Sequence, residues 1–151
     1  MKALIFSDSH KNTACMEKII GENKDIDLII HAGDVVEDAL FLEKYYKDIN
    51  IVYVKGNNDY RFFDVPSERV FDFGGKRIFL THGHSFGVKM DPLALLPAAK
   101  ERGADICIFG HTHSRFLKNA GGVYLFNPGS ARSSAGLLEV SENEIKLLFL
   151  Y

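Results

Sequence analysis

The sequence predicts an α/β fold in which short buried strands carry polar side chains to one edge of a sheet. Three observations predict it. Short apolar runs alternate with helical patterns over the first half of the chain. Paired apolar runs around turn residues, typical of hairpins, follow in the second half. Five of the strands end in residues that bind metal ions. We expect one domain, residues 1–151, with a core that needs no disulfide.

The first half follows the order β-α-β-α-β, which implies parallel strands joined by right-handed crossovers. Asn12 and Thr13 can cap a first helix that runs to about Ile20, with Gly21 beyond its end. The predicted strands are Ala3–Phe6, Ile26–Ile30 and Ile51–Val54. The second helix is predicted from the apolar stripe of Val35, Ala39, Leu42, Tyr46 and Ile49, spaced by fours and threes.

The second half is richer in strands. Asp91 and Pro92 favour a third helix start, but Pro97 removes a backbone donor, so this helix is kinked or begins late. Asn127–Ser130 is predicted as a turn. The predicted strands are Arg69–Phe73, Lys76–Leu80, Asp105–Phe109, Arg115–Lys118, Val123–Phe126, Leu137–Val140 and Ile145–Leu150.

Composition excludes several classes of protein. The net charge of −2 argues against a broad basic face for a nucleic-acid backbone. Cys15 and Cys107 are typical of free thiols in a reducing compartment. No apolar run approaches the length of a membrane span, and the N-terminal run is too short for a signal peptide. We therefore expect a cytoplasmic protein without membrane or extended nucleic-acid binding.

Polar side chains that can bind metals follow five predicted strands. In open α/β sheets the carboxyl ends of strands meet at one crevice, so these side chains converge there. Imidazoles and carboxylates together suit manganese, nickel, iron or zinc; we expect two divalent ions, with Mn²⁺ or Ni²⁺ favoured. Seven side chains provide four ligands for each of two ions if one aspartate binds both. Asp34, on a central strand, is the predicted bridge. The predicted ligands are Asp8, His10, Asp34, Asn57, His82, His111 and His113.

Such a centre attracts an anion although the chain is acidic. Two divalent ions, two aspartates and a bridging hydroxide sum to roughly +1. Ions about 3.5–4 Å apart can hold the hydroxide between them and bind phosphoryl oxygens. The pattern therefore favours in-line attack of a bridging hydroxide at phosphorus.

Five motifs in order resemble the calcineurin-like metallophosphoesterase superfamily, and the later turn is similar to that of its small single-domain prokaryotic phosphodiesterases. The resemblance implies a four-layer αββα sandwich of two mixed β-sheets flanked by helices. It also implies one ion held by Asp8, His10, Asp34 and His113, and another held by Asp34, Asn57, His82 and His111. The motifs are Asp8-x-His10, Gly33-Asp34, Gly56-Asn57-x-Asp59, His82-Gly83-His84 and Gly110-His111-x-His113, with Asn127-Pro128-Gly129-Ser130 as the turn.

The chain departs from this family after the asparagine ligand. Many members carry a histidine there that can protonate the leaving group, whereas this chain has Asn58, whose amide is no proton donor near neutral pH. We expect no dedicated protein general acid and a preference for aryl phosphodiesters. The Asn58 side chain remains a candidate contact for a phosphate oxygen, and Asp59 is expected to brace the loop. His84 is expected to contact the substrate or to orient a metal ligand. His31 is more typical of a buried histidine that supports the ligands without binding metal.

Other functions stay open. The retromer scaffold subunit resembles the same family and binds partner proteins, although a scaffold has no need of all seven ligands. A nuclease or a phosphomonoesterase could use the same centre. Tyr60, Phe62 and Phe63 follow the metal loop and favour core or subunit packing, so a homodimer is possible, with substrate stacking as the alternative.

Overall fold

The computed structural model describes residues 1–151 and contains two mixed five-stranded sheets packed face to face, with helices on both outer faces. This α-β-β-α order of layers confirms the predicted fold class. The helices are α1 (Thr13–Glu22), α2 (Val36–Tyr45) and α3 (Leu96–Glu101). The strands are β1 (Lys2–Phe6), β2 (Leu28–His31), β3 (Asn50–Tyr53), β4 (Glu68–Phe73), β5 (Lys76–Thr81), β6 (Ile106–Ile108), β7 (Arg115–Ala120), β8 (Val123–Pro128), β9 (Ala135–Val140) and β10 (Ile145–Leu150).

Each sheet has a parallel centre and antiparallel edges. The first sheet has the order β10-β9-β1-β2-β3, with β1, β2 and β3 parallel. The second has the order β4-β5-β6-β8-β7, with β5, β6 and β8 parallel. Phe6 lies opposite His31 in the first sheet, and Leu80 opposite Ile108 in the second. The parallel strands of each sheet therefore end at a common edge, and those of the first sheet follow the predicted β-α-β-α-β order.

The central strands are buried on both faces, which explains their unbroken apolar runs. On β1, Ala3 and Ile5 face the second sheet, whereas Leu4 and Phe6 face α1 and α2. On β6, Cys107 faces α3 and is fully buried. Burial raises the pKa of this thiol, so Cys107 remains neutral and serves as a small apolar residue.

The observed boundaries differ from the sequence predictions at several ends. The third helix begins late: Asp91 accepts a hydrogen bond from the Leu93 amide, a 3₁₀ turn covers Pro92–Leu95, and the α-helical turn starts at Leu96 with Pro97 in its first turn. The expected end of the first helix was wrong, because α1 continues through Gly21 to Glu22.

Two further boundaries were wrong. The apolar stripe predicted a second helix up to Ile49, but α2 ends at Tyr45, and Ile49 packs beside its end in the layer under the first sheet. The predicted turn from Asn127 begins later, since Asn127 and Pro128 continue β8 by pairing with Phe116 and Arg115 of β7.

No helix has the length and apolar character that crossing a bilayer requires. The largest cavity, of about 670 Å³, opens between α2, β3 and β4 and is lined by residues such as Tyr46, Ile51 and Phe71. None of the predicted site residues lines it. The candidate site lies instead where the parallel strands of the two sheets end.

Candidate metal centre

Hydrogen bonds join the strand ends of the two sheets at the candidate centre. Asp8 follows β1, and its backbone N–H donates to the Gly33 carbonyl after β2 at 3.0 Å. In the second sheet, the Gly110 N–H after β6 donates to the His82 carbonyl after β5 at 3.1 Å. The His111 N–H then donates across to Asp8 Oδ2 at 3.0 Å. Asp8 thus connects both sheets at their shared edge.

The side chains gather in two groups whose nitrogen and oxygen atoms lie within 4.8 Å of one another. One group contains Asp8, His10 and His113, and the other contains Asp8, Asp34 and His82. Asp8 Oδ1 lies 3.2 Å from His113 Nε2 and 3.7 Å from His82 Nε2. Asp8 is therefore common to both groups, and Asp34, the predicted bridge, belongs to the second.

The two remaining predicted ligands adjoin the second group. Asn57 Oδ1 lies 3.1 Å from His82 Nε2. The ring centroid of His111 lies 5.2 Å from that of His82, and the ring centroid of His84 lies 5.5 Å from that of His82. The structure therefore brings all seven predicted side chains into one region, with His111 and Asn57 outside the two tight groups.

The Asp8 carboxylate provides one test of whether a cation fits. Asp8 is fully buried, and its Oδ2 accepts hydrogen bonds from Ser7 Oγ at 2.7 Å and from the His111 N–H. Its Oδ1 is the one buried side-chain polar atom without a hydrogen-bond partner. Burial raises the pKa of this carboxyl above its ordinary value. A cation beside Oδ1 would supply the missing partner and favour the charged form.

The His82 ring provides a second test. Its Nδ1 lies 2.7 Å from the Ala32 carbonyl, which can only accept, so Nδ1 carries the proton. In the neutral ring the lone pair of Nε2 then faces three oxygens, from Asn57, Asp34 and Asp8, at 3.1, 3.6 and 3.7 Å. Acceptors that face one another in this way fit around a positive ion. The donor set thus fits divalent cations.

The neighbouring His111 ring is also neutral, the form in which an imidazole can bind a metal ion. Burial, followed by the nearby His82, lowers the pKa of His111 to about 4. The imidazole is therefore neutral at physiological pH, which leaves a nitrogen lone pair for a cation.

The loops at the centre hold strained backbone. Asp8, His10, Asp34, His111 and His113 have φ angles between 45° and 68°, in the left-handed region that side chains rarely adopt. Lys11 is the only other non-glycine residue in the chain with positive φ. Backbone strain of this kind clusters at functional sites, where the surroundings enforce it. All the left-handed non-glycine residues of the chain thus lie in the loops that carry predicted ligands.

Two glycines allow the close approach of these loops. A Cβ on Gly110 would overlap Ser7 Oγ and lie 2.8 Å from Asp8 Oδ2. A Cβ on Gly56 would overlap Asp34 Oδ1. Both aspartates therefore sit against bare backbone, and any side chain at these glycines would displace them.

The two residues after Asn57 hold the loops in place. The Asp59 carboxylate accepts three backbone N–H bonds, from Asp34, Val36 and Gly56, at 2.7–3.0 Å. Asn58 donates from its side-chain amide to Asp34 Oδ2 at 2.8 Å and from its backbone to Asp34 Oδ1 at 3.0 Å. Asp59 thus braces the loop, and the Asn58 amide contacts Asp34.

Sequence reasoning missed a buried hydrogen-bond chain behind Asp8 and His10. The Gly33 N–H donates to His31 Nδ1, so His31 Nε2 is the donor to Ser9 Oγ at 2.9 Å, and Ser9 Oγ donates to Asp38 Oδ2 at 2.6 Å. Burial lowers the pKa of His31 to about 4. The sequence indicated only the buried His31; its contact with Ser9 joins residues 22 positions apart, which no local pattern signals.

Asn127 at the end of β8 and Ser130 in the turn after it also support the centre, beside which the sequence predicted a structural turn. Asn127 Nδ2 donates to the Gly110 carbonyl at 2.9 Å and to Thr112 Oγ1 at 3.0 Å. Ser130 Oγ donates to the Asp8 carbonyl at 2.9 Å. These hydrogen bonds hold in place the two loops that carry Asp8 and His111.

The aromatic residues that follow Asp59 differ from the expectation of core packing. Tyr60 and Phe63 are 69% and 85% exposed, while Phe62 is partly buried. Because Tyr60 and Phe63 are exposed, two of the predicted roles remain for them: packing against a second subunit, or stacking on a substrate.

Comparisons with known proteins agree with this geometry. Residues 1–141 match the family model described as the calcineurin-like phosphoesterase superfamily domain. The chain is 36% identical to the probable metallophosphoesterase YsnB of Bacillus subtilis, over 87% of this chain and 76% of that protein. It is 28% identical to a phosphodiesterase of Methanocaldococcus jannaschii over 99% of each chain. The chain spans 66% and 74% of the length of two other such relatives.

Solved structures show the same architecture. A conserved protein of Streptococcus pneumoniae, described as a predicted phosphoesterase, superposes with a TM-score of 0.81 at 28% identity, covering 99% of this chain and 88% of that one. Vps29 of Entamoeba histolytica superposes with a TM-score of 0.78 at 24% identity, covering 99% and 98%. The second similarity concerns the fold alone.

We predict that Gly110→Ala lowers the affinity for Mn²⁺ at least about tenfold and destabilises the fold by about 1–3 kcal/mol, because the added methyl group displaces Ser7 and Asp8. Calorimetric titration and urea unfolding measure the two effects. Gly21→Ala is the matched control, since nothing lies within 4 Å of its Cβ and it sits in α1. Wild-type Mn²⁺ affinity in Gly110→Ala would contradict the role of this close approach.

Proposed function

This chain belongs to the calcineurin-like phosphoesterase superfamily, and we propose that it is a metal-dependent phosphodiesterase that hydrolyses small phosphodiesters. The observation that carries the proposal is the buried, unpartnered Oδ1 of Asp8, surrounded by imidazole nitrogens and a second aspartate. A phosphodiesterase among the relatives supports the choice of a diester.

We assign the ligands in two sets. Asp8, His10, Asp34 and His113 would hold one ion, and Asp34, Asn57, His82 and His111 the other. The distances around Asp8 Oδ1 and His82 Nε2 support these sets. When bound, two divalent ions would offset charge on the phosphoryl oxygens and lower the pKa of water at the site. We favour Mn²⁺ or Ni²⁺ for this mixed nitrogen and oxygen set.

The burial of the proposed ligands determines the side from which a substrate can approach. Asp8 and Asp34 are buried beneath the centre, whereas the His113 side chain is 52% exposed. A phosphodiester therefore approaches from the side of His113, and the buried carboxylates face away from solvent. The Asn58 amide, which donates to Asp34, is not placed to give a proton to a leaving group and has none to give near neutral pH. The leaving oxygen must therefore depart as a stable anion, as an aryl oxide does.

The function is tested by hydrolysis of bis(4-nitrophenyl) phosphate with Mn²⁺ or Ni²⁺ added. We expect metal-dependent release of nitrophenolate and a loss of at least about 10²-fold in kcat/KM for Asp34→Asn and His113→Ala, since each removes a proposed ligand. Asp48→Asn, an exposed acid after α2, is the matched control and retains activity.

Two results would contradict this proposal. Absence of hydrolysis with every metal would favour the protein-binding scaffold as the alternative. Faster hydrolysis of 4-nitrophenyl phosphate than of the diester would favour a phosphomonoesterase.

The variant Asn58→His tests the missing acid. We expect this substitution to raise the rate on alkyl phosphodiesters by about 10–10²-fold while changing the rate on nitrophenyl diesters less, because only the poor leaving group needs a proton. Parallel assays of methyl 4-nitrophenyl phosphate and an alkyl dinucleoside phosphate measure the ratio. Equal rate changes on both substrates would contradict the expectation that the missing acid matters only for poor leaving groups.

A further inference from the structure

A polar cavity of about 400 Å³ adjoins the candidate centre on its exposed side. His113 is part of its wall, so the cavity and the centre share a side chain. No acidic residue and no hydrophobic side chain lines the rest, which consists of Ser114, Arg115, Gly129, Ser130, Ser133 and Ser134. A phosphodiester bound beside His113 would therefore extend one of its ester groups into this cavity.

Arg115 gives the cavity its charge. Among the arginines, Arg77 and Arg102 contact carboxylates within 4 Å, whereas Arg115 contacts none. Its guanidinium lies 4.3 Å from the ring centroid of Tyr151, which orients it without neutralising it. The five N–H donors of this side chain have no acceptor in the protein. Arg115 is thus a cation without a carboxylate partner, at the wall of a cavity that no acid lines.

The remaining lining groups also favour an anion. Arg132, a second arginine without a carboxylate partner, lies between the lining residues Ser130 and Ser133 in the chain. The Ser133 hydroxyl makes no hydrogen bond within the protein and is exposed. Hydroxyls and a guanidinium match the three oxygens of a phosphate group, and arginine binds phosphate through two parallel hydrogen bonds.

Arg115 is close to the centre along the chain. Only Ser114 separates it from His113, so their Cα atoms are at most about 7 Å apart. The Arg115 side chain can therefore reach an anionic group on the ester that extends into the cavity. We propose that the preferred substrate is a phosphodiester that carries a second phosphate on one ester group, bound by Arg115. This inference rests on the proposed function and names its substrate class.

The test compares two substrates with the same leaving group. Thymidine 5′-(4-nitrophenyl phosphate) lacks the second phosphate, and its 3′-phosphorylated form carries it. With Mn²⁺-loaded protein we expect kcat/KM to be about tenfold higher for the phosphorylated form, the scale of one charged hydrogen-bonded pair. Arg115→Gln reduces this ratio to about one, and Arg115→Lys, which keeps the charge but not the planar fork, gives an intermediate ratio.

A control variant distinguishes a direct contact with Arg115 from the effect of any positive charge on this strand. Lys118→Gln removes an exposed cation further along the same strand, β7, outside the cavity, and retains the wild-type ratio. Thermal unfolding checks that each variant is folded. A ratio near one in the wild type, or an unchanged ratio in Arg115→Gln, would overturn the inference.

A binding experiment gives a second measurement that needs no turnover. Calorimetric titration should show thymidine 3′,5′-bisphosphate binding about tenfold more tightly than thymidine 5′-phosphate, and Arg115→Gln should remove the difference. Equal affinities, or no binding of either, would overturn the inference. Hydrolysis of bis(4-nitrophenyl) phosphate without a preference for the second phosphate contradicts only the inference, whereas failure to hydrolyse any diester contradicts the proposed function.

Discussion

The structure is organised around one buried carboxylate with an oxygen that nothing in the protein satisfies. Asp8 lies where β1 ends, and its Oδ2 is held by Ser7 and by the backbone of His111 from the other sheet. Its Oδ1 faces imidazole nitrogens and has no donor. Burying a negative charge in this way is unfavourable unless a cation accompanies it. Cation binding is therefore the simplest physical reason for the arrangement.

The rest of the fold supplies the geometry that this charge requires. Parallel strands in both sheets end at the same edge, and glycines let backbone approach the aspartates to contact distance. The loops adopt left-handed conformations at five predicted ligands, and buried hydrogen bonds from Asp59, Asn127 and the Ser9–His31–Asp38 chain hold them there. Strain at the centre is thus balanced by hydrogen bonds just outside it. His113 and Arg115 lie on the exposed side of the centre.

Much of this could be predicted from the sequence, because apolar runs and metal-binding residues follow local patterns. The order of strands and helices and the α/β class were predictable, and Pro97 indicated a late third helix. Helix ends were less predictable: α2 stops before Ile49, and only packing beneath the first sheet determines where. The role of Asn127 depends on contacts with Gly110 and Thr112, distant in sequence, and no local pattern encodes them. For the same reason the place of Asp8 in both groups could be identified only from three-dimensional distances.

The most direct test of the central claim is anomalous diffraction from crystals grown with Mn²⁺. We expect two manganese peaks about 3.5–4 Å apart, with Asp8 Oδ1 contacting one of them and His82 Nε2 contacting the other. Manganese bound only elsewhere on the surface, with Asp8 Oδ1 still unpartnered, would contradict it.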